Sequence, residues 1–195
     1  MGTRNLTAVY FENEYRIAQY GQWDGYPEGQ GMTALKFARR IATNSDLMNQ
    51  FKSNLKQCRW ADDAYLKEIE LWHKAHPHET LDMPALSRDT GAEILDNVLK
   101  LPRVLVNKID FAADSLFCEY AYVIDLDKNT FEAYKGFNTQ YELTEEDRFY
   151  FLRDKEDDGR ETHYYGIRLV EQWDLDDLPS DEDFLKAFCY ESDAD

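Results

Sequence analysis

The segments "NLTAVYF" (residues 5–11) and "YRIAQYG" (15–21) crowd apolar, β-branched and aromatic residues on either side of the polar triplet "ENE". That pattern predicts a β-hairpin turning near Asn13 and Glu14. With the turn there, Arg4 lies opposite Trp23, and the start of the chain shares the open end of the hairpin with the stretch that follows it. From residue 33 the period lengthens. Leu35, Ala38, Ile41 and Ala42 recur with helical spacing behind Thr33 as a capping residue. Further helical sets follow at Leu47, Phe51 and Leu55, at Tyr65, Ile69 and Trp72, and at Leu95, Val98 and Leu99, punctuated by Pro77, Pro84 and Pro102.

The second half returns to a strand period. "LFCEYAYVIDLDKNTFEAYKGF" (116–137) reads as two strands around a turn at Lys128 and Asn129, and "THYYGIRLVEQW" (162–173) as another. In the first of these strands both faces are apolar, with Phe117, Ala121 and Val123 on one side and Cys118, Tyr120, Tyr122, Ile124 and Leu126 on the other, the pattern of a central strand covered twice. Glu119 is the anomaly in that run, because a buried carboxylate is costly unless it is paired. A last helix is predicted over about Asp181 to Tyr190, capped by Ser180 and turning Phe184, Leu185 and Phe188 inward. The elements add up to one α+β domain spanning residues 1–195: an antiparallel sheet, an N-terminal hairpin, helices inserted before the central strands and a C-terminal helix.

Composition supports a globular chain, since hydrophobic residues make up 43% and aromatic ones 14%. No apolar run reaches the ~18 residues of a membrane span and no basic-then-apolar leader opens the sequence, so a cytoplasmic protein without membrane contact is expected. Three scattered cysteines, Cys58, Cys118 and Cys189, suit reduced thiols. Charge alters the picture more. The net charge is −17, and residues 142–195 hold 19 acids against 6 bases, whereas residues 1–141 hold 20 against 16. Direct binding to nucleic acid is disfavoured, because affinity for phosphates rests on Lys and Arg. The acidic C-terminal part serves either as a solvated face or as a surface that docks on a basic protein.

Candidate chemistry centres on "GQWDGYPEGQG" (21–31). Its glycines permit positive φ and close backbone approach, and a glycine-rich turn entering a helix exposes N–H groups suited to an anion. Arg4, delivered by the hairpin, supplies charge; Gln22, Asp24 and Tyr26 supply polar groups, and Trp23 a stacking face. The structural alternative is a loop that serves geometry alone, with Asp24 paired to Arg4. Other motifs fail. "DLDKNTFEAYKG" opens like a calcium loop but places Thr130 where glycine is required and Gly136 where the bidentate Glu belongs. His73, His76, His78 and Glu79 lack a second ligand cluster and read as the closing end of a helix. Cys118 has no assigned His partner for a nucleophilic role. Neither a metal nor a cofactor is implied.

"MGTRNLTAV", "QYGQWDGYPEGQG" and "DSLFCEYAYVIDLD" together resemble an uncharacterised family of bacteriophages, bacteria and fungi that opens with Met-Gly-Thr-Arg and carries a Trp/Tyr-Asp-Gly-Tyr-Pro loop. The resemblance covers both ends of the first ~135 residues, and it implies that Gly2, Thr3, Arg4, Asp24, Gly25, Tyr26, Cys118 and Glu119 belong to one shared feature, without saying what that feature does. Three functional classes follow. One is a binding module, of a phage accessory or counter-defence kind by resemblance, whose loop pocket of Thr3, Arg4, Gln22, Trp23, Asp24, Gly25, Tyr26 and Glu119 takes a small anionic or nucleotide-like ligand. Another is an acidic inhibitor that mimics nucleic acid toward a basic host protein. The third is a hydrolase resembling N-terminal-nucleophile enzymes, in which Thr3 acts only after cleavage beyond Gly2.

Overall fold

A computed structural model describes residues 2–79, 81–155 and 161–189. Strands β1 (Asn5–Phe11) and β2 (Glu14–Gly21) form the N-terminal hairpin, and its turn places Glu12 and Asn13 at φ 55° and 62°, the backbone twist that a two-residue hairpin loop prefers. The turn thus lies one residue earlier than the sequence pattern indicates. Phe11 pairs with Glu14, and a bulge between Val9 and Tyr10 then shifts the register so that Asn5 faces Gly21. Helices α1 (Met32–Ala42) and α2 (Ser45–Gln57) follow, then β3 (Arg59–Trp60), α3 (Asp63–Ala75), α4 (Ile94–Lys100) and β4 (Val104–Leu105). The chain closes with β5 (Tyr120–Asp125), β6 (Thr130–Lys135), β7 (Arg168–Asp174) and α5 (Asp181–Ala187), where Ser180 accepts the Asp183 N–H as its cap. Tyr190, the expected last helical residue, lies outside the described residues.

The main sheet has the order β2-β1-β5-β6-β7. It is mixed rather than wholly antiparallel. β1 and β5 run parallel, Asn5 beside Tyr120, because the inserted helices carry the chain back to the end of the sheet from which β1 starts. β3 and β4 form a separate parallel pair. Thr33 is not a cap either: a wide helical turn at Pro27–Gly31 leads directly into α1, and the Thr33 hydroxyl donates back to the Gly29 carbonyl at 3.2 Å.

Both sheet faces are covered. On one, Val9, Ile17, Tyr122, Ile124, Phe131 and Ala133 pack against α1, α2, α4 and Phe184 of α5. On the other, Leu6, Ala8, Ala121, Val123 and Tyr134 meet Ile109, Ala112 and Ala113 and the later Leu143, Phe149, Leu152 and Ile167. Cys118 packs in this second layer while Phe117 stays 38% exposed, opposite to the assignment from alternation, because the strand begins only at Tyr120 and the residues before it turn.

The second layer is pinned by charge. Arg148 donates from Nε to Glu132 Oε2 and from Nη2 to Glu132 Oε1, each at 2.5 Å, and Nη2 also reaches Asp125. Tyr134 (2.5 Å) and Thr130 (3.1 Å) donate to the same Glu132 carboxylate. Burial opposes the Arg148 charge, but Glu132 and Asp125 outweigh it and hold the guanidinium protonated. The side chains of Arg148, Asp125 and Glu132 are only 9%, 0% and 2% exposed, so removing one partner strands a buried charge. Arg148→Met should lower the unfolding free energy measured in urea by roughly 3–5 kcal/mol, whereas Lys74→Met, which breaks an exposed pair with Glu70, should change it by less than about 1 kcal/mol. Burial also pushes the Tyr15 hydroxyl, beside Arg148, from 10 up to about 12. The unfolded chain releases that proton first, so stability held below pH 10 should fall as pH rises toward 12. Tyr15→Phe should flatten part of that fall in urea titrations at pH 9 and 11.

Candidate functional site

The opening residues and the glycine-rich loop lie side by side at the open end of the hairpin. Gly25 N–H donates to the Thr3 carbonyl at 2.9 Å, and the Trp23 ring lies against Gly2. Arg4 pairs with Glu119: its backbone N–H donates to Oε1 at 3.1 Å and its Nε stands 3.6 Å from the same atom. The Arg4 guanidinium sits 4.5 Å above the Phe117 ring centroid. Glu119, the anomalous carboxylate of the sequence, therefore has its partner. Asp24 does not pair with Arg4 as the structural alternative supposed; its carboxylate accepts from the Tyr26 hydroxyl at 3.2 Å.

Five of the loop N–H groups expected to await an anion, those of Gln22, Gly25, Gly29, Gln30 and Gly31, are engaged within the protein. Gln22 N–H binds the Arg88 carbonyl (2.8 Å), Gln30 N–H the Asp24 carbonyl (2.8 Å), and Gly29 N–H the Tyr26 carbonyl (3.0 Å). None of the four loop glycines takes a positive φ; Asp24, at 54°, does. The glycines serve close approach instead. A Cβ on Gly31 would stand 2.7 Å from the Tyr122 ring, and one on Gly25 would stand 2.7 Å from the Thr3 carbonyl and 2.9 Å from that of Arg4. Tyr122, buried in the central strand, completes the junction by donating to the Gly25 carbonyl at 2.8 Å.

Asp24, Tyr26 and Glu28 are exposed on the surface, whereas Gln22 and Trp23 border a concavity. With Leu86, Arg88 and Asp89 they line a concavity of about 500 Å³. Leu86 and Arg88 also line a second one of about 540 Å³, walled by Tyr20, Leu66, Ala85, Val106, Phe111 and Lys108. The Trp23 indole is half exposed and held by a 2.8 Å bond from its Nε1 to Asp89. The Gln22 side-chain oxygen accepts from Tyr20 (2.6 Å) and from Arg88. Among the described residues neither Arg88 nor Lys108 has a carboxylate within ion-pair distance. The expected group therefore divides. Thr3, Arg4, Gly25 and Glu119 join in one contact network with Asp24 and Tyr26 beside it, while Gln22 and Trp23 face the concavities with residues the sequence did not single out.

Leu86 and Phe111 lie in short 3-10 helices (Pro84–Leu86 and Ile109–Ala113) with Arg88 and Lys108 in the connections beside them, all without periodicity, and only the Pro84 breaker and the Arg88-Asp89 polar pair hint at an exposed loop there. Cys118 is buried, and burial, Asp114 and Glu119 all push its thiol up, away from nucleophilic reactivity. His76 stacks on Trp72 at 4.6 Å where α3 ends. No helix among the described residues is long and apolar enough to cross a membrane. No protein-family model matches the chain, and neither a curated protein nor a solved structure does.

A methyl group at residue 25 would press on two carbonyls that cannot move independently of β1. Gly25→Ala should therefore cost about 1–3 kcal/mol of stability in denaturant unfolding, with the junction at Tyr122 disturbed.

Proposed function

We propose that the protein is a binding module that holds a small anionic, nucleotide-like ligand where the two concavities meet at Arg88. One observation carries this reading: in a chain of net charge −17, two cations without carboxylate partners among the described residues, Arg88 and Lys108, line aromatic-walled space beside a half-exposed indole. A guanidinium recognises a phosphate or carboxylate through paired N–H donors, and an ammonium adds a point charge. Trp23 offers a face for a planar base, and its bond to Asp89 fixes the ring before a ligand arrives. Tyr20, Leu66, Val106 and Phe111 supply the apolar wall that such sites need for the uncharged part of a ligand. In this reading Gln22 supplies a polar group and Trp23 a stacking face, and the anion contact falls to Arg88 and Lys108 rather than to Arg4 and the loop donors.

A second reading, an acidic inhibitor that takes the place of nucleic acid on a basic protein, draws support from Glu171, Asp174, Asp176 and Asp177, all exposed along the β7 edge and the turn after it.

Thermal unfolding with nucleoside phosphates and sugar phosphates tests the first reading. Stabilisation of the native protein should grow with the logarithm of ligand concentration, and Arg88→Ala and Lys108→Ala should each lose most of it. Trp23→Ala should weaken nucleotides more than sugar phosphates. Absence of any shift at millimolar ligand would overturn the binding module, and binding of a basic protein that survives Arg88→Ala but not reversal of the four acids would support the inhibitor.

A further inference from the structure

A third concavity, remote in the fold from Trp23 and Arg88, opens where the buried ion network reaches the surface. It measures about 260 Å³ and is lined by Tyr10, Tyr15, Asp125, Lys128, Arg148 and Phe151. We infer that it is a binding site for one uncharged planar ring system with a hydrogen-bond acceptor edge, of which guanine is the best-fitting chemistry.

Size sets the first limit. The volume falls below the ~300–1,000 Å³ typical of sites for drug-sized ligands, so one ring system fills it. Its walls suit a ring: Tyr15 stands edge-on to Tyr10 at 5.1 Å and tilted toward Phe151 at 6.1 Å, and Phe151 is 53% exposed at the mouth. A large aromatic left half in water gives the fold little of its burial energy, but it offers a stacking face to a ligand.

Charge sets the second limit. Arg148 is nine-tenths buried, and its Nε and Nη2 donors are spent on Glu132 and Asp125. Asp125 is spent as well, since its Oδ1 accepts the N–H groups of Asp127 and Lys128 at 3.0 and 2.8 Å. The two carboxylates balance Arg148 and Lys128. An anionic ligand would meet Asp125 in the lining with the Glu132 carboxylate behind it, and a cationic one Arg148 and Lys128, so the four charges offset one another for either. What remains is hydrogen-bonding capacity. The guanidinium has five N–H donors; the two on Nη1 bind no carboxylate, and the Tyr15 hydroxyl in the wall is hydrogen-bonded to the same guanidinium. Lys128 adds an exposed ammonium with no ion-pair partner among the described residues. Donors of this kind pair with the O6 and N7 acceptors of guanine while its ring stacks.

The test is a titration with guanosine, benzoate and tetramethylammonium, followed by NMR shifts of backbone amides at residues 125–128 and 148–151. Guanosine should shift these amides, and the two ions should not. Phe151→Ala should weaken guanosine about tenfold, the lower range for losing one base-stacking ring, and Lys128→Met should weaken it through the lost donor, neither lowering the melting temperature by more than a surface change does. Trp23→Ala should leave guanosine binding intact, which separates this site from the one at Arg88. A stronger response to benzoate or tetramethylammonium, no guanosine response at millimolar concentration, or loss of it in Trp23→Ala rather than Phe151→Ala would each overturn the inference.

Discussion

Arg148 belongs to no strand, yet the closure of one whole sheet face rests on its contacts with Asp125 and Glu132. These acids stand on neighbouring strands, β5 and β6, and point to the face that carries no long helix. Left alone, each would cost several kcal/mol to bury. One guanidinium, with the Tyr134 and Thr130 hydroxyls filling the remaining lone pairs, makes the cluster tolerable and ties the segment around residue 148 to the sheet. Leu143, Phe149 and Leu152 then lie over the apolar part of that face. The network is directional in a way that apolar packing is not, so it selects the one placement of the segment that satisfies every donor and acceptor.

The opposite face is organised by hydrophobic burial and by one crossing. Helices inserted between β2 and β5 return the chain so that β5 runs parallel to β1, and the glycine-rich loop passes directly over the central strand. There the absent side chains of Gly25 and Gly31 let backbone and the Tyr122 ring approach. The loop is a junction first. Its Gln22-Trp23 portion meets residues 86–89 and lines a concavity with them.

Arg88 and Lys108 are set apart by their surroundings rather than by lacking an ion pair, since the exposed Lys128 has no carboxylate partner among the described residues either. Elsewhere Arg16, Arg39, Arg40, Arg103 and Lys56 stand within ion-pair distance of acids, exposed contacts of small energy that absorb positive charge. Arg88 and Lys108 sit beside aromatic and aliphatic walls, where water screens a ligand's charge less than on a flat surface. An acidic protein can thus keep a locally anion-attracting niche, and its net charge says little about it.

The sequence by itself determined the elements whose signals are local. The hairpin, the α1, α2 and α4 patterns, the doubly covered strand around Val123, the turn at Asn129 and the Ser180 cap all follow from period, turn chemistry and capping, which involve residues near one another in the chain. It also marked Glu119 as needing a partner, since cost follows from burial whatever the fold. Only the tertiary structure decided that β1 and β5 run parallel, that a bulge at Val9 shifts the hairpin register, and that the loop N–H groups of Gln22, Gly25, Gly29, Gln30 and Gly31 bond inside the protein. It alone joined Arg148, a single base in the acidic run "ELTEEDRFYF", to Asp125 and Glu132, and Arg88 to Trp23 and Lys108. Those partners lie 16 to 65 residues apart. Their meeting depends on how layers stack, and no periodicity in the chain encodes it.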